Sequence, residues 1–156
     1  MKNILIVLLS LYFLTSCTKN YQTSQTPPPD FELTEEGKTL LGKNWSEVAV
    51  KVIEDTPSGE HKNDITNQIN TTDLDDLMVF QKDGTYRFDE GERKMVEQNS
   101  QVYEKGYWQL KNNQLVLLVD GAETLYQIQR LSTDSLVLKL PVKGEDYHYL
   151  ITYVAL

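Results

Sequence analysis

Two turns constrain this chain more than anything else in it, because each admits only one sensible pairing of its flanks. At Asp83-Gly84 a two-residue loop would pair Phe80 with Arg87 and Val79 with Phe88, scattering the aromatic residues over both faces. A three-residue loop, Lys82-Asp83-Gly84, pairs Phe80 with Tyr86 and Met78 with Phe88. Side chains alternate with a period of two along a strand, so the second register gathers all four large apolar residues on one face. It also places Gly84 where a left-handed residue closes such a turn. At Asn112-Asn113 a two-residue loop works directly, pairing Leu110 with Leu115 and Trp108 with Leu117. Asparagine tolerates the positive φ that this turn demands. Both hairpins point their bulk inward, as expected of a sheet that curls around its own core.

The same grammar runs from Trp45 to the end. Short β-branched, aromatic and leucine runs, broken by turn residues, predict eight strands near 45–53, 76–82, 85–90, 103–111, 114–119, 123–131, 135–140 and 146–154. Eight short antiparallel strands joined mostly by tight turns predict an all-β fold, an up-and-down barrel or a sandwich. One short helix is expected within 31–42. Thr34 can cap it, Glu35 and Glu36 suit its positive end, and Leu33, Leu40 and Leu41 form an apolar side, while Gly37 keeps it short.

The N-terminal region reads differently. Met1-Lys2-Asn3 precedes an apolar run from Ile4 to Phe13, followed by Leu14-Thr15-Ser16-Cys17. A positive start, an apolar stretch of roughly ten residues and small residues before a cut are the marks of a secretory signal. The apolar stretch is too short for a membrane span of about 20 residues. Leu14-Thr15-Ser16-Cys17 resembles the lipobox of bacterial lipoproteins, which implies a signal peptide over 1–16 and lipidation of Cys17. Cys17 is the only cysteine, so its lipidation leaves none for a disulfide. Residues 17–30, ending in Pro27-Pro28-Pro29-Asp30, read as a semi-rigid tether, leaving 31–156 as the folded domain. Thr18, not Asp, follows the cysteine, and no acidic run comes after it. By resemblance to sorted lipoproteins, this implies a lipid anchor in the outer membrane facing the periplasm.

The strand pattern itself resembles the lipocalin-like lipoproteins of Bacteroidota. The resemblance rests on Asp75-Asp76-Leu77-Met78-Val79-Phe80-Gln81-Lys82-Asp83-Gly84-Thr85-Tyr86 and Asp89-Glu90-Gly91. It continues through Gly106-Tyr107-Trp108-Gln109-Leu110, Asn113-Gln114-Leu115, Tyr126-Gln127-Ile128, Leu131-Ser132 and Leu136-Val137-Leu138-Lys139. It implies an eight-stranded antiparallel lipocalin-like barrel with one end closed by the short N-terminal helix. The chain departs from it in lacking cysteines near Asp75-Asp76 and after Gly91, and in carrying Gly42-Lys43-Asn44-Trp45 where a lipocalin has Gly-x-Trp.

Several residues are candidates for chemistry. The net charge of −8 becomes −9 once Lys2 leaves with the signal, which disfavours nucleic acid as a partner. Asp73, Asp75 and Asp76 precede one strand, and Asp89, Glu90 and Glu92 follow its partner. Their spacing matches no calcium loop, so solvated hairpin ends are expected rather than a metal site. His61 and His148 show no metal-ligand spacing, and no nucleophile motif or phosphate loop is present. Neither an enzyme nor a cofactor is therefore expected. Trp45, Phe80, Tyr86, Phe88, Trp108 and Tyr126 fall on the predicted inner face. They either line a cavity for a small apolar ligand or lipid or fill it as core, and their bulk favours filling. The reading is a membrane-tethered, non-catalytic binding module of the cell envelope. The alternative is a filled barrel whose acidic loops, 55–64 and 90–101, contact a cationic envelope protein.

Overall fold

The computed structural model describes residues 31–94 and 96–156. Cys17, the signal and the tether lie outside them. The elements in chain order are α1 (Glu35–Leu40), β1 (Trp45–Thr56), β2 (Gly59–Asp64), a 3-10 turn (Thr66–Gln68), β3 (Leu77–Phe80), β4 (Thr85–Asp89), β5 (Val102–Lys111), β6 (Gln114–Val119), β7 (Ala122–Leu131), β8 (Ser135–Pro141) and β9 (Tyr147–Ala155). All strands pair antiparallel in one sheet, each with its successor from β3 to β9, and β9 returns to β1 from Ala155–Trp45 to Tyr147–Glu54. The other edge of β1 meets β3 at Trp45–Met78 and Ser46–Leu77, which closes the ring. The result is a nearly all-β, antiparallel, up-and-down barrel with one short helix.

Eight strands make the wall, as expected, but the sheet has nine. The expected polar loop over 55–64 is instead mostly hairpin: β1 runs on to Thr56 and β2 pairs back along it from Gly59 to Asp64. All six residues of β2 are exposed, so no apolar alternation marks it. Its pairing rests on backbone bonds to β1, which composition does not reveal. β2 occupies the same edge of β1 as β3, further along.

The two registers argued from the turns are the ones observed. Met78 pairs with Phe88 and Phe80 with Tyr86, while Trp108 pairs with Leu117 and Leu110 with Leu115. Gly84 has φ +82°, and Asn112 and Asn113 have φ 52° and 60°.

Both of these turns lie at the closed end, beside α1. Thr34 caps the helix, its Oγ1 accepting from the Gly37 amide at 3.0 Å. Gly37 has a reason beyond helix length: a Cβ there would stand 3.2 Å from the Trp108 indole, so its absence lets the helix sit down on the ring. Phe31 packs edge-on against Trp108 at 5.5 Å. The buried indoles find acceptors, Trp45 Nε1 donating to the Leu40 carbonyl at 3.0 Å and Trp108 Nε1 to the Gln81 carbonyl at 3.1 Å. Around them Leu40, Leu115 and Leu136 have no exposed surface. Each such leucine stabilises the fold by about 1.5–3 kcal/mol through burial. The ring closes within 45–155 and its buried core is covered by Phe31 and Leu33 from the N-terminal side, so residues 31–156 carry their own core.

Candidate functional site

At the opposite end the wall stays open, and a pocket of about 390 Å³ lies in the mouth. Two irregularities in the wall shape it. In β1 the register with β9 shifts between Glu47 and Ala49. Val48 is the extra residue and points out, 43% exposed, which returns Val50 to the inner face opposite Ile151. In β5 the partner of Phe88 is Glu104 and that of Asp89 is Val102, so Tyr103 is left over. A bulge of this kind re-aims a side chain. The Tyr103 ring stacks on Phe88, centroids 5.8 Å apart and planes 18° apart, and joins the pocket lining.

β9 supplies Tyr149, Ile151 and Tyr153, and β8 supplies Leu140. The segment after the 3-10 turn crosses the mouth and brings Ile69, Asp73 and Asp76. The wall is therefore apolar and aromatic, with three carboxylates (Glu47, Asp73, Asp76) set into it. Glu47 is hydrogen-bonded by Tyr153; its pKa is raised chiefly by burial, and further by the charges of Asp76 and Asp73. Asp76 is pushed up to about 6, first by burial, against the hydrogen bond from Tyr103, and then by the negative charges of Asp73, Glu90 and Asp75. Burial likewise drives the hydroxyls of Tyr153 and Tyr103 upward, so both stay protonated and donate. A third pair of the same kind lies deeper, where the Tyr86 hydroxyl donates to Glu104 Oε1 at 2.7 Å. Tyr86 pairs across the ladder with Gly106, and a Cβ on that glycine would stand 2.8 Å from the tyrosine ring.

The six aromatic residues expected on the inner face are all there, at different depths. Trp45, Phe80, Tyr86 and Trp108 belong to the buried core, and Phe88 and Tyr126 pack against it. Phe88 is the one of the six that lines the mouth pocket. Glu47, Tyr103 and Tyr153 were not singled out from the sequence. Glu47 carried a legible signal, since it shares the inner face with Trp45 and puts a charge where the alternation calls for an apolar residue. Tyr103 carried none, because a bulge leaves no mark in composition.

The acidic motif at Asp75-Asp76 and Asp89-Glu90-Gly91 proves to be a clasp. Asp75 Oδ2 accepts from the amides of Glu92 and Arg93 at 2.8 and 2.9 Å. Gln101 Nε2 donates to Asp89 Oδ1 at 2.6 Å and to the Gly91 carbonyl at 2.8 Å. Gly91 has φ +61°, and a Cβ there would fall 2.2 Å from the Asp75 carbonyl oxygen, so no other residue fits. His61 is exposed, 3.9 Å from Glu54. His148 is buried between its ladder partners Ile53 and Pro141, and burial lowers its pKa.

Residues 20–155 match the family described as Domain of unknown function (DUF5004). Among solved structures, a lipocalin-like protein from Bacteroides uniformis ATCC 8492 is similar over 76% of this chain and 99% of that chain, at 14% identity and a TM-score of 0.43. No curated protein matches.

Proposed function

The chain belongs to the DUF5004 family, and we propose that its barrel is a non-catalytic binding module that takes a small apolar or amphipathic molecule at its open mouth. The observation that carries this reading is the mouth pocket. Its 390 Å³ falls within the roughly 300–1,000 Å³ of small-molecule sites, and apolar side chains surround a few placed polar groups. The aromatic residues at the base are packed core, so the ligand sits above them. Lipidation of Cys17 would tether the module to the outer membrane on the periplasmic side, with residues 18–30 as spacer. Acyl chains contribute about 0.8 kcal/mol per buried methylene, ample for lasting attachment.

The rival reading, a protein-interaction module using acidic loops, has less support. Segment 55–64 is largely strand, and the start of the 90–101 loop is already clasped by Asp75. Native mass spectrometry with solvent extraction, on residues 18–156, tests the proposal. A co-purifying small molecule released on unfolding is the expected result. A bare mass from a folded sample that also takes up no added apolar probe would overturn it.

A further inference from the structure

We infer that the occupant of the mouth is cationic: an amphiphile whose ammonium-type head sits among Glu47, Asp73 and Asp76 and whose apolar tail lies against Phe88, Leu140 and Ile151. This rests on the reading of the pocket as a ligand site and adds the chemical class of the ligand.

Three carboxylates converge on one concave, partly apolar space, and no Lys, Arg or His lines it. The ion pairs among the described residues lie elsewhere, at Lys38–Glu35, Lys51–Asp64, His61–Glu54, Lys62–Glu60 and Arg87–Asp89. The partners of the mouth carboxylates are hydroxyls: Tyr153 for Glu47, Tyr103 for Asp76 and Thr72 for Asp73. A hydroxyl supplies one proton, whereas a carboxylate has about four acceptor positions. The site is thus left with acceptor capacity and negative charge that no Lys, Arg or His among the described residues lining it neutralises.

Each ligand class meets this wall differently. A fatty-acid anion would bring like charge beside the three carboxylates. A neutral tail would bury the carboxylates further without pairing them, which is unfavourable. An ammonium head pairs them through charge-assisted bonds and meets the aromatic faces of Tyr103 and Tyr149, which attract cations. A bare metal ion is the weaker fit, since among the described residues no three His, Cys, Asp or Glu groups converge closely enough to hold one. The mouth therefore favours an organic cation.

The test is a matched-tail comparison by calorimetry at neutral pH, with decylammonium, decanol and decanoate added to residues 18–156. Decylammonium is expected to bind about tenfold or more tightly than decanol, a preference of about 1.4 kcal/mol, with decanoate weakest. In the double variant Glu47→Gln, Asp76→Asn, the preference is expected to collapse towards one while decanol affinity is kept. Retained decanol binding also shows that the variant pocket is intact. Glu35→Gln, on α1 at the closed end, serves as the control and should keep the preference. If decanol binds as well as decylammonium, or the preference survives the double variant, the cationic head is wrong and the binding module stands. If none of the three binds to a sample that melts cooperatively, the pocket reading falls with it.

Discussion

Burial holds a proton on the Asp76 carboxyl up to about pH 6, where an unfolded chain has already released it. Between about pH 4 and 6 the folded state binds more protons at this site than the unfolded state does. The stability contributed by the group therefore falls as pH rises through that window. Glu47, also raised, acts in the same sense, while His148, lowered by burial, acts in the opposite one. Comparing wild type with Asp76→Asn isolates the single group. The variant is expected to be the more stable at neutral pH and to lose that advantage near pH 4, as read from urea melts at both. An equal advantage at the two values would show that charge is not the cause. Gly106 is a second residue on which the interior depends. A Cβ there would lie 2.3 Å from the Leu118 carbonyl oxygen and 2.8 Å from the Tyr86 ring. Gly106→Ala should cost about 2 kcal/mol or more, in the range of overpacked cores. A loss within measurement error would mean that the ladder around Tyr86 yields easily.

Among the elements, the loop between β4 and β5 depends on one side chain. Asp75 satisfies two of its amides, so Asp75→Ala should release Glu92 and Arg93 to fast hydrogen exchange while β3 and β4 stay protected. Unchanged protection at those amides would assign the loop's order to Gln101 instead. The acids of this motif read in sequence as solvated hairpin ends rather than cation ligands. Their work as amide acceptors shows only once Gly91 is seen folded against the Asp75 carbonyl. Elements with apolar alternation were legible: both hairpin registers followed from asking which pairing keeps Phe80, Tyr86, Trp108 and Leu117 on one face. β2 was not, because Gly59 to Asp64 is exposed throughout and shows no apolar alternation. The bulges at Val48 and Tyr103 were equally silent, and they are what turn Val50 and Tyr103 into the mouth.

At the scale of the whole molecule, the barrel divides its interior into two ends with different duties. The closed end spends its large side chains on stability, with Trp45, Trp108, Leu115 and Leu136 packed beneath α1. The open end keeps about 390 Å³ free, walled by aromatic and aliphatic groups and charged by Glu47, Asp73 and Asp76. The six aromatic residues expected inward do lie inward, but which of them reach the open mouth was not legible in the sequence. The depth at which each sits depends on strand tilt and on the bulges, neither of which is written in the local pattern. The central claim is that ligand binds at the mouth and not in the base. Methyl-resolved NMR of residues 18–156 during titration with decylammonium, and with decanol in parallel, tests it most directly. Shifts are expected at Ile69, Leu140 and Ile151, with Leu110, Leu115 and Leu136 unmoved. Shifts concentrated on the base methyls, or none at any methyl with either molecule, would contradict it.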